Sequence, residues 1–164
     1  MGRMILQSAT HLVEEFWLTN EEKTEYQADL VPIATWQPPS QGFYKVNMDG
    51  AVFTNRKQAR VGVIIRDDDG EVIVALSKKR KCPLGAIEAD AKALEAGVNF
   101  AWEVGIREVE FEIDLLMICN ALHGLVSPPS LVVNVLAGVR NQVSSFKQWK
   151  FTHIKRQEMS LLIY

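Results

Sequence analysis

Three aspartates stand where a chain can gather carboxylates: Asp49 at the end of FYKVNMD, Asp90 within AIEADAKAL, and Asp114 at the end of EVEFEID, with Glu88 as the other candidate for the second place. Carboxylates brought together repel and raise one another's pKa, and a cation between them relieves this. Mg2+ takes hard oxygen donors from a few carboxylates and keeps several waters. Two such ions about 4 Å apart activate a water and stabilise the leaving oxygen of a phosphodiester. Any one of these acids alone reads as a solvated strand end or the acidic start of a helix. The chemistry lies in the combination.

Convergence depends on the elements that carry the acids. In FYKVNMDGA the period is two: Tyr44, Val46 and Met48 face one way, and Phe43, Lys45, Asn47 and Asp49 the other, a strand ending in Asp49 before Gly50. RVGVIIRD and EVIVALSKK are β-branched runs separated by Asp67, Asp68, Asp69 and Gly70, which reads as a hairpin whose Asp-Gly pair supplies positive φ. Residues 87–104 are rich in Ala, Glu and Leu with small residues in a row, as in a helix pressed on a sheet, and Gly105 is its stop. EVEFEID is a fourth strand, with Val109, Phe111 and Ile113 on one face and Glu110, Glu112 and Asp114 on the other. A short helix in LLMICNALHGL, a helix over 130–146 and a fifth strand in KQWKFTHI complete the order β-β-β-α-β-α-α-β, a mixed α/β domain. If strands one and four are neighbours and the long helix packs across them, Asp49, Asp90 and Asp114 meet.

Upstream, apolar residues from Ile5 to Trp17 recur every three or four positions, one amphipathic helix over residues 1–19. Residues 20–41, acidic and then WQPPSQG, read as a linker. The 164 residues therefore hold one domain with an extension, large enough to bury a core without disulfides. Cys82 and Cys119 show no metal-site spacing and read as free thiols of a reducing compartment. No run is long enough for a membrane span, and Glu14 and Glu15 interrupt the start too early for a secretory signal. The expectation is an intracellular protein of nucleus or cytoplasm, without membrane partners and monomeric.

The net charge of −2 first speaks against a nucleic-acid partner, but six acids against two bases in residues 1–40 leave the rest of the chain net positive by two. The run Lys78, Lys79, Arg80, Lys81 lies between the third strand and the long helix, where a loop beside a phosphate-handling site could hold a nucleic-acid backbone. His153, at the end of the fifth strand, is by itself a structural histidine.

Five motifs in order carry a resemblance: W-x-P-P-x-x-G-x-x-K-x-N-x-D-G-A from Trp36 to Ala51, G-x-x-I-R-D-x-x-G from Gly62 to Gly70, A-x-A-K-A-L-x-x-G from Ala89 to Gly97, E-x-D-x-L starting at Glu112, and H-x-x-R from His153 to Arg156. Over residues 36–157 the chain resembles the plant ribonuclease H-like proteins, whose domain is similar to the ribonuclease H region of plant non-LTR retrotransposon polyproteins. The resemblance implies a ribonuclease H-like fold, a five-stranded mixed sheet with three antiparallel strands first and flanking helices, occupying residues 42–157. It implies Mg2+-dependent endonucleolytic hydrolysis of the RNA strand of RNA–DNA hybrids, with Mn2+ as a substitute ion.

Carried over by position, Asp49, Asp90 and Asp114 match the family's metal-binding acids. His153 matches a mobile histidine assisting proton transfer or product release. Asn47 and Arg156 join the basic run as candidate contacts to a hybrid or structured RNA. Asp90 takes a slot where the family has Glu, and Glu88, about 200° round the helix from it, cannot substitute. The fourth acid of the family is missing, because Met159, Leu162 and Ile163 stand in the Asn, Ala and Asp positions. Residues 158–164 then read as a divergent tail without the family's last helix. The alternatives to an active nuclease are a module that binds nucleic acid without cutting it and a truncated retrotransposon-derived fragment.

Overall fold

The computed structural model describes residues 36–163; the helix expected over residues 1–19 and the linker as far as residue 35 lie outside the described residues. The chain passes through β1 (Tyr44–Phe53), a single 3-10 turn (Thr54–Arg56), β2 (Gln58–Arg66), β3 (Val72–Arg80), α1 (Ala86–Glu103), β4 (Glu108–Ile113), α2 (Leu116–Leu122), α3 (Val133–Val143), β5 (Gln148–His153) and α4 (Arg156–Ile163). The strands form one five-stranded sheet in the order β3-β2-β1-β4-β5. β1, β2 and β3 are antiparallel neighbours, whereas β4 joins β1, and β5 joins β4, in parallel. The expected mixed sheet is therefore present, with β1 and β4 side by side.

Two glycines let α1 lie close on β1. A Cβ at Gly97 would come 2.9 Å from Met48 Sδ, and one at Gly50 would come 2.5 Å from the backbone carbon and oxygen of Ala89. With Ala89, Ala93 and Ala101 also buried on α1, backbone approaches backbone, as the small-residue row predicted. The hairpin between β2 and β3 turns through Gly70 at φ +86, with Gly70 N–H donating to the Asp67 carbonyl at 3.0 Å. On the helical side, Phe111 of β4 meets the Phe146 ring edge-on at 5.7 Å and lies 5.6 Å from Phe151. Cys82 and Cys119 are both free thiols, and burial raises the pKa of Cys119. Among the described residues no helix is long and apolar enough to cross a membrane.

The opposite face of the sheet corrects two expectations. Residues 36–41, read as linker, lie against it: Trp36 Nε1 donates to Glu112 at 3.1 Å, and the Trp36 ring has Lys45 Nζ 5.2 Å and the Arg66 guanidinium 5.4 Å from its centroid. The tail is a helix after all. Met159 and Ile163 recur at i and i+4 and are buried, so α4 needs only an apolar stripe, not the family's letters, to dock. Its seat lies over β1 and β2, with Ile163 3.4 Å from where a Gly62 Cβ would stand, and its last turn is tied down by Arg66, whose Nη2 donates to the Leu162 carbonyl at 2.8 Å.

Candidate functional site

β1 does not end at Asp49, as the sequence suggested, but runs on to Phe53; what stops is its pairing with β4. The last paired residues are Asn47 and Glu112, so Asp49 and Asp114 each stand two residues past the fork between two parallel strands, on the same face. A fork at the carboxyl ends of parallel strands is where open α/β sheets place ligands. Asp90 arrives from α1, at the start of its second turn. Gly50, next to Asp49, allows that turn to press down on β1.

The electrostatics record the convergence. Asp90 is pushed from 3.8 up to about 7, first by burial, then by Asp114, with a smaller push from Asp49, against the opposing pull of Arg156. Arg156 stands among the three acids: its Nη2 lies 3.0 Å from Asp90 Oδ2 and its Nε 2.9 Å from Asp114 Oδ2. Burial lowers the Arg156 pKa, yet Asp114, Asp90 and Asp49 together raise it above the ordinary value. The contact to Asp114 is an ion pair without hydrogen-bond geometry, so Asp114 Oδ2 is buried with no hydrogen bond. Glu88 takes no part; its carboxylate accepts from Gly85 N–H at 2.8 Å and caps α1.

These observations fit a hard divalent cation. The donors are all carboxylate oxygens, one of them is buried without a hydrogen-bond donor, and burial together with the neighbouring acids raises the Asp90 pKa to about 7 despite Arg156. The fourth-acid position of the resemblance is apolar here: Ile163 packs beside Gly62, the β2 partner of Asp49.

His153 ends β5 opposite Ile113 and is exposed, its Nε2 donating to the Asp114 carbonyl oxygen at 3.3 Å. It therefore sits at the rim of the acids. Two expected nucleic-acid contacts fall elsewhere. Asn47 is fully buried: its Nδ2 donates to Glu112 Oε2 at 2.6 Å and its Oδ1 accepts from Arg66 at 3.0 Å, so it cannot face a ligand. Arg156 is engaged with the acids. The run at 78–81 is not a loop, because Lys78, Lys79 and Arg80 belong to edge strand β3 and alternate between its faces, Lys81 following it. Lys79 pairs with Arg60, which pairs with Ala51, so Lys79 and Arg60 share Asp49's face one pleat further on.

Sequence reasoning missed the layer beneath the site. Lys45 Nζ lies 2.9 Å from Glu112 Oε1 and 3.5 Å from Glu110 Oε2, both pairs buried, and donates to the Gln37 carbonyl at 2.6 Å. Burial pushes the Glu110 pKa up, but Lys150, the Ser40 backbone and Lys45 outweigh it and leave it lowered. This polar layer ties β1 to β4 just below the fork. Its signal was present in the motif letters Lys45 and Glu112, which alternation placed opposite Val46 and Phe111 without showing that they pair. Among the described residues, the acids whose carboxylate oxygens all lie within 4.8 Å of one another are Asp67, Asp68 and Asp69, while Asp49, Asp90 and Asp114 are more widely spaced around Arg156. The first three hold the β2–β3 turn: Asp67 Oδ1 accepts from the Asp69 and Glu71 amides, and Asp68 Oδ2 from Gly42 N–H.

Comparison with known proteins gives three findings. A family described as reverse transcriptase-like matches residues 47–161. An Arabidopsis thaliana protein named for ribonuclease H is 30% identical over 128 residues, covering 74% of this chain and 20% of that protein, so the chain spans about a fifth of that relative. Ribonuclease H1 of Halobacterium salinarum shares the fold with a TM-score of 0.67 at 22% identity, over 73% of this chain and 90% of that one. LC11 ribonuclease H1, isolated from compost and solved in complex with an RNA/DNA hybrid, gives 0.62 at 22% identity, over 72% and 89%.

Proposed function

This chain belongs to the reverse transcriptase-like family as a ribonuclease H-like domain, and on that premise we propose that it binds RNA–DNA hybrids and hydrolyses their RNA strand with divalent cations, Mg2+ or Mn2+, held by Asp49, Asp90 and Asp114. The observation that carries this reading is that Asp90 of α1 and Asp114 after β4 share the Arg156 guanidinium at the strand fork, with Asp49 of β1 close enough to act electrostatically on both Asp90 and Arg156. A divalent cation bound there supplies Lewis acidity toward a phosphodiester.

The chain's own groups divide the remaining work. Asp49 and Asp114, fixed to adjacent strands, set the spacing of the donors, and Asp90 closes the site from the helix. The buried Lys45–Glu112 pair keeps β1 and β4 in register beneath them. His153 waits at the rim on the Asp114 carbonyl, where an imidazole can deliver a proton to a departing oxygen. Lys79 and Arg60 offer phosphate contacts on Asp49's face, which makes binding weaken as salt rises.

A second reading, a module that binds hybrids without cutting them, draws on two observations: a carboxylate one methylene shorter at Asp90, and the Arg156 guanidinium among the acids. Cleavage of a labelled RNA strand annealed to DNA, in Mg2+ and in Mn2+, separates the two. Cleavage that disappears in Asp49→Asn supports the nuclease. Salt-sensitive binding with no cleavage in either metal supports the module, and equal cleavage by Asp49→Asn removes Asp49 from the mechanism.

A further inference from the structure

Arg156 is the first residue of α4, where a positive side chain opposes the helix dipole. Helix stability therefore does not account for it. The backbone beneath it is anchored by the buried Met159, while its side chain is 60% exposed over two carboxylates that are only 8% and 5% exposed, Asp90 and Asp114. The arrangement is a flexible cationic arm laid from solvent over buried acids, touching Asp90 on one side and Asp114 on the other. Three carboxylates gathered in a folding chain repel one another, and the guanidinium is the positive charge that this chain brings to them itself.

We propose that Arg156 is a resident counter-cation of the acid site, and that a divalent ion binds by taking over the Asp90 and Asp114 oxygens and releasing the guanidinium to solvent. This rests on the reading of Asp49, Asp90 and Asp114 as metal ligands. The exchange is between like charges on shared oxygens, so the two cations compete. Release returns the guanidinium to water, where the arm already mostly lies, while the incoming ion takes over the charge of the two buried carboxylates. Stability without metal and affinity for metal then trade against each other through one side chain.

Divalent-ion affinity by calorimetric titration with Mn2+, together with thermal unfolding in EDTA, tests this on the full chain and its Arg156→Gln and Arg156→Lys variants. Arg156→Gln is expected to unfold at a lower temperature in EDTA, to bind Mn2+ about tenfold more tightly, and to gain more from the ion on heating. Arg156→Lys, which keeps the charge on a shorter fork-less arm, is expected to fall between the two. Wild-type binding with equal or weaker affinity in Arg156→Gln overturns the competition and leaves the metal reading standing. If no variant binds Mn2+, the metal reading itself fails and the competition with it.

Discussion

Arg156 Nη2 lies 3.0 Å from Asp90 Oδ2, joining the first residue of the last helix to the fifth residue of the first. That contact explains why the end of the chain matters to the site. α4 lacks the fourth acid of the resemblance, yet it delivers a cation to the acids that β1, α1 and β4 supply.

The raised Asp90 pKa makes stability depend on pH in a stated direction. Unfolded, the carboxyl ionises near 3.8; folded, it keeps its proton to about 7. Across that window the folded state binds more protons than the unfolded state, so without divalent ions stability falls as pH rises from about 4 to about 7 and then levels. The contribution is at most about 4 kcal/mol, at about 1.36 kcal/mol per pKa unit. Urea unfolding in EDTA across this range should show the decline in the wild type and a flatter profile in Asp90→Asn. Parallel profiles would mean that Asp90 does not carry the shift.

Gly50 is the point where the helix touches the strand. A Cβ there meets the Ala89 carbonyl group at 2.5 Å, backbone against backbone, so Gly50→Ala must push α1 and Asp90 away. The expected cost is about 1–3 kcal/mol of stability, with a fall in hybrid cleavage larger than the remaining folded fraction explains. Gly138→Ala, in α3 with nothing within 4 Å, is the control and should be neutral or stabilising by up to about 1 kcal/mol. Urea titration and a cleavage rate on both variants check this pair.

The last helix is tested by its anchor. Met159 is 1% exposed, so Met159→Ala should lose about 2–5 kcal/mol by urea unfolding. Leu125, 72% exposed, should tolerate Ala within about 0.5 kcal/mol. A negligible loss at Met159 would show that α4 is not part of the folded core.

What the sequence revealed depends on how local each signal is. Period-two alternation from Phe43 to Asp49 and from Val109 to Asp114 identified two strands and the face of each acid, because side chains alternate whatever the neighbours are. The small-residue row in residues 87–104 identified α1 by the close approach it permits. Asp90 over Glu88 followed from the resemblance, whose motif letters put Asp90 in the acid's slot, and the capping role of Glu88 agrees. The failures were all tertiary. Alternation cannot tell that Glu110, Glu112 and Asn47 are buried, since they pair with one another and with Lys45 of β1 beneath Trp36, which a segment that looked like linker brings over them. A basic run reads as a loop until β2 claims Lys78 and Arg80 as strand partners. The place of Arg156 needed α4, which rests on two apolar residues, Met159 and Ile163, too few for a periodic pattern to stand out.

If Asp49, Asp90 and Asp114 together hold divalent cations, the ions should be seen at the fork between β1 and β4. Anomalous diffraction from crystals of the chain soaked in Mn2+ tests this most directly. The expected result is anomalous density about 2.1 Å from carboxylate oxygens of Asp49, Asp90 and Asp114, with the Arg156 side chain moved off both Asp90 and Asp114. A peak only at the Asp67–Asp69 turn, or none at the fork with Arg156 still on both acids, would contradict it.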